Sequence, residues 1–219
     1  MGRARKATAE PTHVQLPSRT ADLRGADASR ERLLQAAHEL LVENAGAEPS
    51  VSAICGRAGM QVGMVSYCFG GKAGLLDALL YRTLEEIVGD LARIRAADLP
   101  PGEKLRRHIT GLARNFVRYP YAQTLNEHLA VASRAQPMTQ RYALPSIEFF
   151  TELVRDGVAA GEFRDDLDPT LLFFSTVGMC EFFFAAKSWV LAAGETLDPA
   201  TIDRYAEHCA DLVCRGVAR

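Results

Sequence analysis

No two cysteines of this chain stand at Cys-x-x-Cys spacing. The five that occur, Cys55, Cys68, Cys180, Cys209 and Cys214, are scattered and odd in number, which argues against a disulfide framework and against a zinc site. Catalytic signatures are missing as well. There is no Gly-x-Ser-x-Gly elbow, no phosphate-binding glycine loop, and not the two Glu-x-x-His pairs that a di-iron helical bundle needs. No enzyme, metal site or cofactor is therefore expected. Long uninterrupted apolar runs are absent too. The most apolar stretch, Leu171 to Val190, is broken by Ser175, Thr176, Glu181, Lys187 and Ser188, so it reads as a helix buried in protein and not as a membrane span. Residues 8–30 lack the apolar core of a signal peptide, and a reducing cytoplasm is the expected location.

A strong excess of one charge is lacking as well: the net charge is -2. Its distribution is uneven. Residues 1–72 hold 9 Lys/Arg against 7 Asp/Glu, and the rest hold 16 against 20, the sign expected if the first third faces phosphates. With 48% hydrophobic and 24% charged residues, the composition is that of an ordinary globule. No period-two alternation marks a strand and no repeat is present, so the fold class is all-α.

The most informative stretch is Ser50 to Lys72, SVSAICGRAGMQVGMVSYCFGGK. Ser50 is a suitable N-cap, and Val51, Ile54, Cys55 and Ala58 follow at helical spacing. Gly59 ends that helix in the left-handed conformation glycine tolerates, with Met60 just beyond. A second short helix, Gln61 to Phe69, has Val65 and Phe69 as inward anchors and leaves a small, polar face. Two short helices meeting across a glycine form a helix-turn-helix whose second member has the shape of a groove reader. Helix 1, from about Ser29 to Glu43, supplies the third wall through Leu33, Ala36, Ala37, Leu40 and Leu41.

Residues 30–80 carry an LLxAAxxL helix, a VSxI-x3-AG segment, a Ser/Tyr-bearing second helix with Phe after it, and Lys72-x2-Leu75-Leu76. In these features the stretch resembles the DNA-binding domain of TetR-family transcriptional regulators. The resemblance implies base-reading positions at Gln61, Val62, Gly63 and Met64, and phosphate contacts at Ser50, Ser66, Tyr67 and Lys72. Hydroxyls, a phenol and an ammonium are groups that phosphate oxygens accept from. The chain departs from the family pattern at Val62, Met64 and Cys68, where lysine, threonine and histidine are common. That leaves Gln61 as the bidentate partner for adenine, with Val62 and Met64 either meeting thymine methyls or packing sideways into the domain.

Three regions follow: a flexible basic arm over residues 1–28, a helix-turn-helix domain over 29–72, and a helical ligand-binding and dimerisation domain over 73–219. The arm, with Arg3, Arg5, Lys6, Arg19 and Arg24, reads either as a disordered leader or as a basic arm that follows the DNA backbone or minor groove. A long helix from Ala73 to about Ala96 joins the two domains, and the family resemblance makes it a lever that moves the readers when ligand binds. Helices are expected over Glu103–Tyr119, Tyr121–Arg134 and Met138–Ala160, the last interrupted at Pro145. The final two start at Asp168-Pro169, running to about Ala193, and at Asp198-Pro199. By the same resemblance, these last two pair with their symmetry mates in a twofold dimer.

The partners implied are a palindromic double-stranded operator, a second copy of the chain and a small-molecule effector, with no membrane. The expected role is that of a repressor released by its effector; the competing class is a non-catalytic helical adaptor that has kept the helix-turn-helix as packing. For the effector, the expected pocket is lined by Phe116, Phe150, Phe182 and Trp189, with Asn126 and Glu181 as polar anchors. Glu181, among phenylalanines, is alternatively the partner of Arg114, Arg118 or His128.

Overall fold

The computed structural model describes residues 19–125 and 139–219. Among them the regular structure is helical, apart from one antiparallel bridge between Phe163 and Ala218. The all-α expectation holds. The first helix, α1, spans Arg19–Glu43 and so begins well before the start expected at Ser29. Residues 19–28, read above as the end of the arm, are helical. The Ser29 hydroxyl, at the expected start, donates back to the Gly25 carbonyl at 2.8 Å within the helix. The rest of the arm lies outside the described residues.

Next come α2 (Val51–Ala58), α3 (Gly63–Phe69) and α4 (Lys72–Ala96). Together with α1 they close a first core around Leu33, Ala37, Leu41, Ile54, Val65, Leu75 and Leu79. This core takes in three residues from much later in the chain, Tyr119, Tyr121 and Leu125. They belong to the turn that follows α5 (Pro101–Arg118). The helix expected over Tyr121–Arg134 is seen only in residues 122–125, and the remainder lies outside the described residues.

The chain returns through one π-helical turn, Thr139–Ala143, into α6 (Leu144–Ala159). The interruption expected at Pro145 is this turn: proline has no N–H to continue the regular pattern and restricts the residue before it. Asp168 then opens α7 (Pro169–Ala185), its carboxylate accepting from the N–H groups of Thr170 and Leu171 at 2.8 and 3.0 Å. A short α8 (Lys187–Ala192) follows a break at Ala186, where one helix to Ala193 was expected; neither glycine nor proline accounts for it. Asp198 opens α9 (Pro199–Val217) by the same capping chemistry. These helices enclose a second core of Leu105, Ile109, Phe149, Phe150, Phe173, Cys180, Cys209 and Ala210.

α4 belongs to both cores. Leu75 to Leu84 on it pack in the first, and Leu91, two turns further, packs in the second. At 1.5 Å per residue its 25 residues extend roughly 37 Å, long enough to bridge two domains.

The second core holds His108, whose ring lies 5.3 Å from that of Phe149 and 5.2 Å from that of Phe150. Its Nε2 has no hydrogen-bond partner among the described residues, and burial pushes its pKa down to about 4. The unfolded chain takes up this proton near pH 6.5, whereas the folded one does not until about pH 4. The stability of the neutral form is therefore complete above pH 6.5 and lost as pH falls towards 4, by on the order of 3 kcal/mol. Urea unfolding across that window is expected to show this slope in the native chain and a shallower one in His108→Phe.

Candidate nucleic-acid interface

The two short helices are held by capping at three of their four ends. The Ser50 hydroxyl accepts from the Ala53 N–H at 3.1 Å and retains its own proton to donate elsewhere. Gly59 sits at φ 65°, ψ 42°, and the Met60 N–H reaches back to the Cys55 carbonyl at 2.8 Å, closing α2 as its sequence anticipated. α3 starts two residues later than expected, and the Met64 N–H bonds to the Gln61 carbonyl at 3.0 Å. Gly70, at φ 72°, ends it.

Two arginines of α1 complete these ends, a role that the sequence reading missed. Arg30 donates to the Cys68 carbonyl and places its guanidinium 4.4 Å from the centre of the Phe69 ring. Arg32 donates to the Ala58 carbonyl. Each puts a cation at the negative end of a short helix and satisfies a carbonyl that the helix cannot. The available signal was that both flank Leu33 of the buried stripe. Arg57 of α2 is bidentate to Glu43 at 2.8 and 2.7 Å and bonds Glu39 at 3.2 Å. It ties α2 to α1, and its charge keeps the Glu43 carboxyl below the usual range.

On α3, Val65 is buried and Met64, Cys68 and Phe69 are half-buried against the first core. Gln61, Gly63 and Ser66 are exposed, with Val62 55% and Tyr67 77% exposed. Of the four residues placed at base-reading positions, Gln61, Val62 and Gly63 thus face outward. Met64 takes the sideways packing that was the alternative for it. Of those placed at phosphates, Ser66 and Tyr67 are free of the core and Ser50 spends one lone pair on its cap. Lys72, at the start of α4, is paired with Glu48 at 2.8 Å. The surface offered is a compact one of an amide, a phenol, two hydroxyls and an isopropyl group.

α3 is also fixed closely to α4. A Cβ on Gly74, in the first turn of α4, would overlap the carbonyl oxygen of Phe69 at the end of α3. Only glycine permits that approach.

The residues expected around an effector are not brought together. Phe150 is fully buried in the second core, and Phe116 stacks on Phe184 at 5.4 Å. Phe182 and Trp189 lie outside, 59% and 71% exposed, edge to face with one another at 5.8 Å. Helical periodicity is the reason: Phe173, Thr176 and Cys180 share the inner face of α7, while Leu171, Phe174 and Phe182 share the outer one. Glu181 is half-buried and accepts from the Gln123 amide, and among the described residues no arginine is paired with it; Arg114 pairs with Asp203 and Arg118 with Glu86. Asn126 and His128 lie outside the described residues. No group of His, Cys, Asp and Glu able to hold a metal occurs among the described residues, and no described helix is long and apolar enough to cross a membrane.

Residues 98–219, over half of the chain, match the family model of the tetracyclin repressor-like C-terminal domain. The chain belongs to the TetR family. Its relatives include the HTH-type transcriptional regulator BetI of Stenotrophomonas maltophilia, 36% identical over 83 residues, which are 37% of this chain and 42% of that one. BetI 1 of Chromohalobacter salexigens is 34% identical over 97 residues, covering 44% and 46% of the two chains. The matched stretches thus span less than half the length of these curated relatives. Among solved structures, a TetR/AcrR-family regulator from Thermobifida fusca superposes with TM-score 0.68 at 24% identity, over 87% of this chain and 98% of its own. KstR2 of Mycobacterium tuberculosis does so with TM-score 0.63 at 20% identity, over 94% and 97%. At such identities the likeness is one of fold, and it extends along almost the whole TetR-family chain. The family is one of transcription factors and not of enzymes.

Gly74→Ala is expected to shift α3 against α4 and weaken binding to a duplex selected by the native chain by about tenfold, ~1.4 kcal/mol, with helix content unchanged. Fluorescence anisotropy and circular dichroism of the one variant check both halves of that statement.

Proposed function

We propose that this TetR-family chain is a cytoplasmic, homodimeric transcriptional regulator that reads a palindromic operator through α3 and is released from it by a small ligand. The observation that carries the reading is the outward face of α3. A seven-residue helix turns one face out of its domain, with Ser66 and Tyr67 exposed on it and Gln61 and Val62 exposed in the turn before it, and its C-terminal end is held by α1 and α4. A helix kept only as packing has no need of a phenol that is 77% exposed at its centre. In the proposed complex Gln61 pairs with an adenine edge and Val62 meets a thymine methyl. Ser50, Ser66 and Tyr67 donate to phosphates, and Lys72 joins them by leaving Glu48.

The outer face of α7 to α9 supports the dimer. Leu171, Phe174, Phe182, Trp189, Leu191 and Leu212 are each more than half exposed, an apolar surface that a monomer in water does not favour. Pairing this face with its twofold copy buries it and sets two α3 helices at a fixed separation. The second core supports a ligand role, because two polar atoms there, His108 Nε2 and Thr176 Oγ1, find no hydrogen-bond partner among the described residues. His108 stands against Phe149 and Phe150, so an apolar ligand with one or two hydrogen-bonding groups would satisfy these atoms. Release by such a ligand makes the regulator a repressor.

Selection of bound duplexes from a random pool is expected to enrich a palindrome with half-sites about one helical turn or more apart. Tyr67→Ala should weaken its binding by roughly five- to tenfold across all enriched sequences, as loss of a phosphate contact does. No enrichment at low salt would overturn the reading. Light scattering at micromolar concentration should give a dimer for the native chain and a monomer for Phe174→Glu; a native monomer would remove the twofold reader.

A further inference from the structure

A cavity of about 280 Å³ opens at the junction of α1, α4 and the turn that follows α5. It is separate from the aromatic second core and has the opposite chemistry. Its floor is a chain of hydrogen bonds within the otherwise apolar first core. His38 Nδ1 lies 2.8 Å from the Tyr121 hydroxyl, which lies 3.1 Å from Thr83 Oγ1; Thr83 in turn donates to the Leu79 carbonyl at 3.0 Å. Tyr121 and Thr83 are each 1% exposed. Buried polar groups of this kind cost desolvation that a Phe–Val pair at the same places would avoid, so their presence needs a further reason.

The walls carry two ion pairs. Arg82 bonds Glu31 at 2.7 Å. Arg118 bonds Glu86 at 3.2 Å and stands 5.0 Å from the centre of the Tyr119 ring, and the Tyr119 hydroxyl donates to the same Glu86 carboxylate. Burial first, and then the Arg82 charge, hold the His38 pKa below its ordinary value, so the imidazole is neutral at pH 7 and acts as a hydrogen-bonding group and not as a charge. Two cations and two anions therefore ring a neutral, polar floor.

We propose that this cavity is an effector site for a small zwitterion of the amino-acid class. Its carboxylate lies between Arg82 and Arg118, its ammonium is taken by Glu31 and Glu86, and the Tyr121 and His38 groups at the floor complete its hydrogen bonds. A molecule with no net charge and both ionic groups matches a ring with no net charge and both kinds of wall, whereas a simple anion would leave two carboxylates facing it and a simple cation two guanidiniums. The cavity is bounded by α1, which clasps both reader helices, and by α4, which both cores share. A bound zwitterion thus bears directly on the placement of α3.

Binding is read on the free protein, so the test does not depend on operator recognition. Thermal unfolding of the full chain is followed with each of the standard L-amino acids at about 10 mM, beside acetate and methylammonium at the same concentration. At least one amino acid is expected to raise Tm by about 3 °C, with acetate and methylammonium without effect. Arg118→Gln, at a largely exposed side chain that leaves the fold in place, and Glu31→Gln should each abolish that rise while keeping their own ligand-free transitions. No rise with any amino acid, an equal rise with acetate, or a rise that survives in both variants would overturn the site.

Discussion

The structure depends on one helix being buried by two different cores. α4 packs Leu75, Leu76, Leu79, Leu80 and Leu84 against the reader helices and Leu91 against the larger domain. Each such leucine contributes about 1.5–3 kcal/mol when fully buried, so neither core tolerates α4 leaving it. A displacement of α4 in one domain is therefore carried into the other, because packed interiors shift between discrete arrangements and do not deform smoothly. The turn after α5 adds a second tie. Tyr119 and Tyr121 are seated in the first core, and Gly46, in the loop after α1, leaves only enough room for the Pro120 carbonyl.

The reader itself is made of pieces with little stability of their own. Helices of eight and seven residues do not persist alone in water, since nucleation costs more than so few bonds return. Their form comes from the apolar contacts beneath them and from groups at their ends: the Ser50 cap, the glycine stops, and Arg30 and Arg32 on the final carbonyls. The same economy leaves the outer face of α3 free of structural duties. Arg57 has such a duty, held by two carboxylates of α1, and Lys72 is held by Glu48. The exposed hydroxyls and the amide of α3 are the groups with hydrogen bonds still to make.

Much of this was legible from local chemistry in the chain. Ser50, Gly59, Asp168 and Asp198 are capping residues whose effect spans three or four positions, and each acts where its type and spacing place it. The inward position of Val65 follows from the same short-range periodicity. What sequence could not supply was long-range. Arg30 and Arg32 reach carbonyls 26 to 38 residues away, and Tyr121 reaches His38 across 83. No period or motif marks such pairs. α7 misled for a different reason: apolar on every side, it gives no moment by which to tell the face of Phe173 from that of Phe182, so inward and outward aromatics were grouped together.

The claim on which the account rests is that α3 and its flanks, residues 50–72, form the surface that meets DNA. Amide hydrogen exchange, compared for the free protein and for its complex with an enriched duplex, addresses this with residue-level location. The account predicts slowed exchange concentrated in α3 and at the starts of α2 and α4, with smaller changes spreading along α4. Protection confined to the α7–α9 face, or absent from residues 61–72 while the duplex is bound, would contradict it.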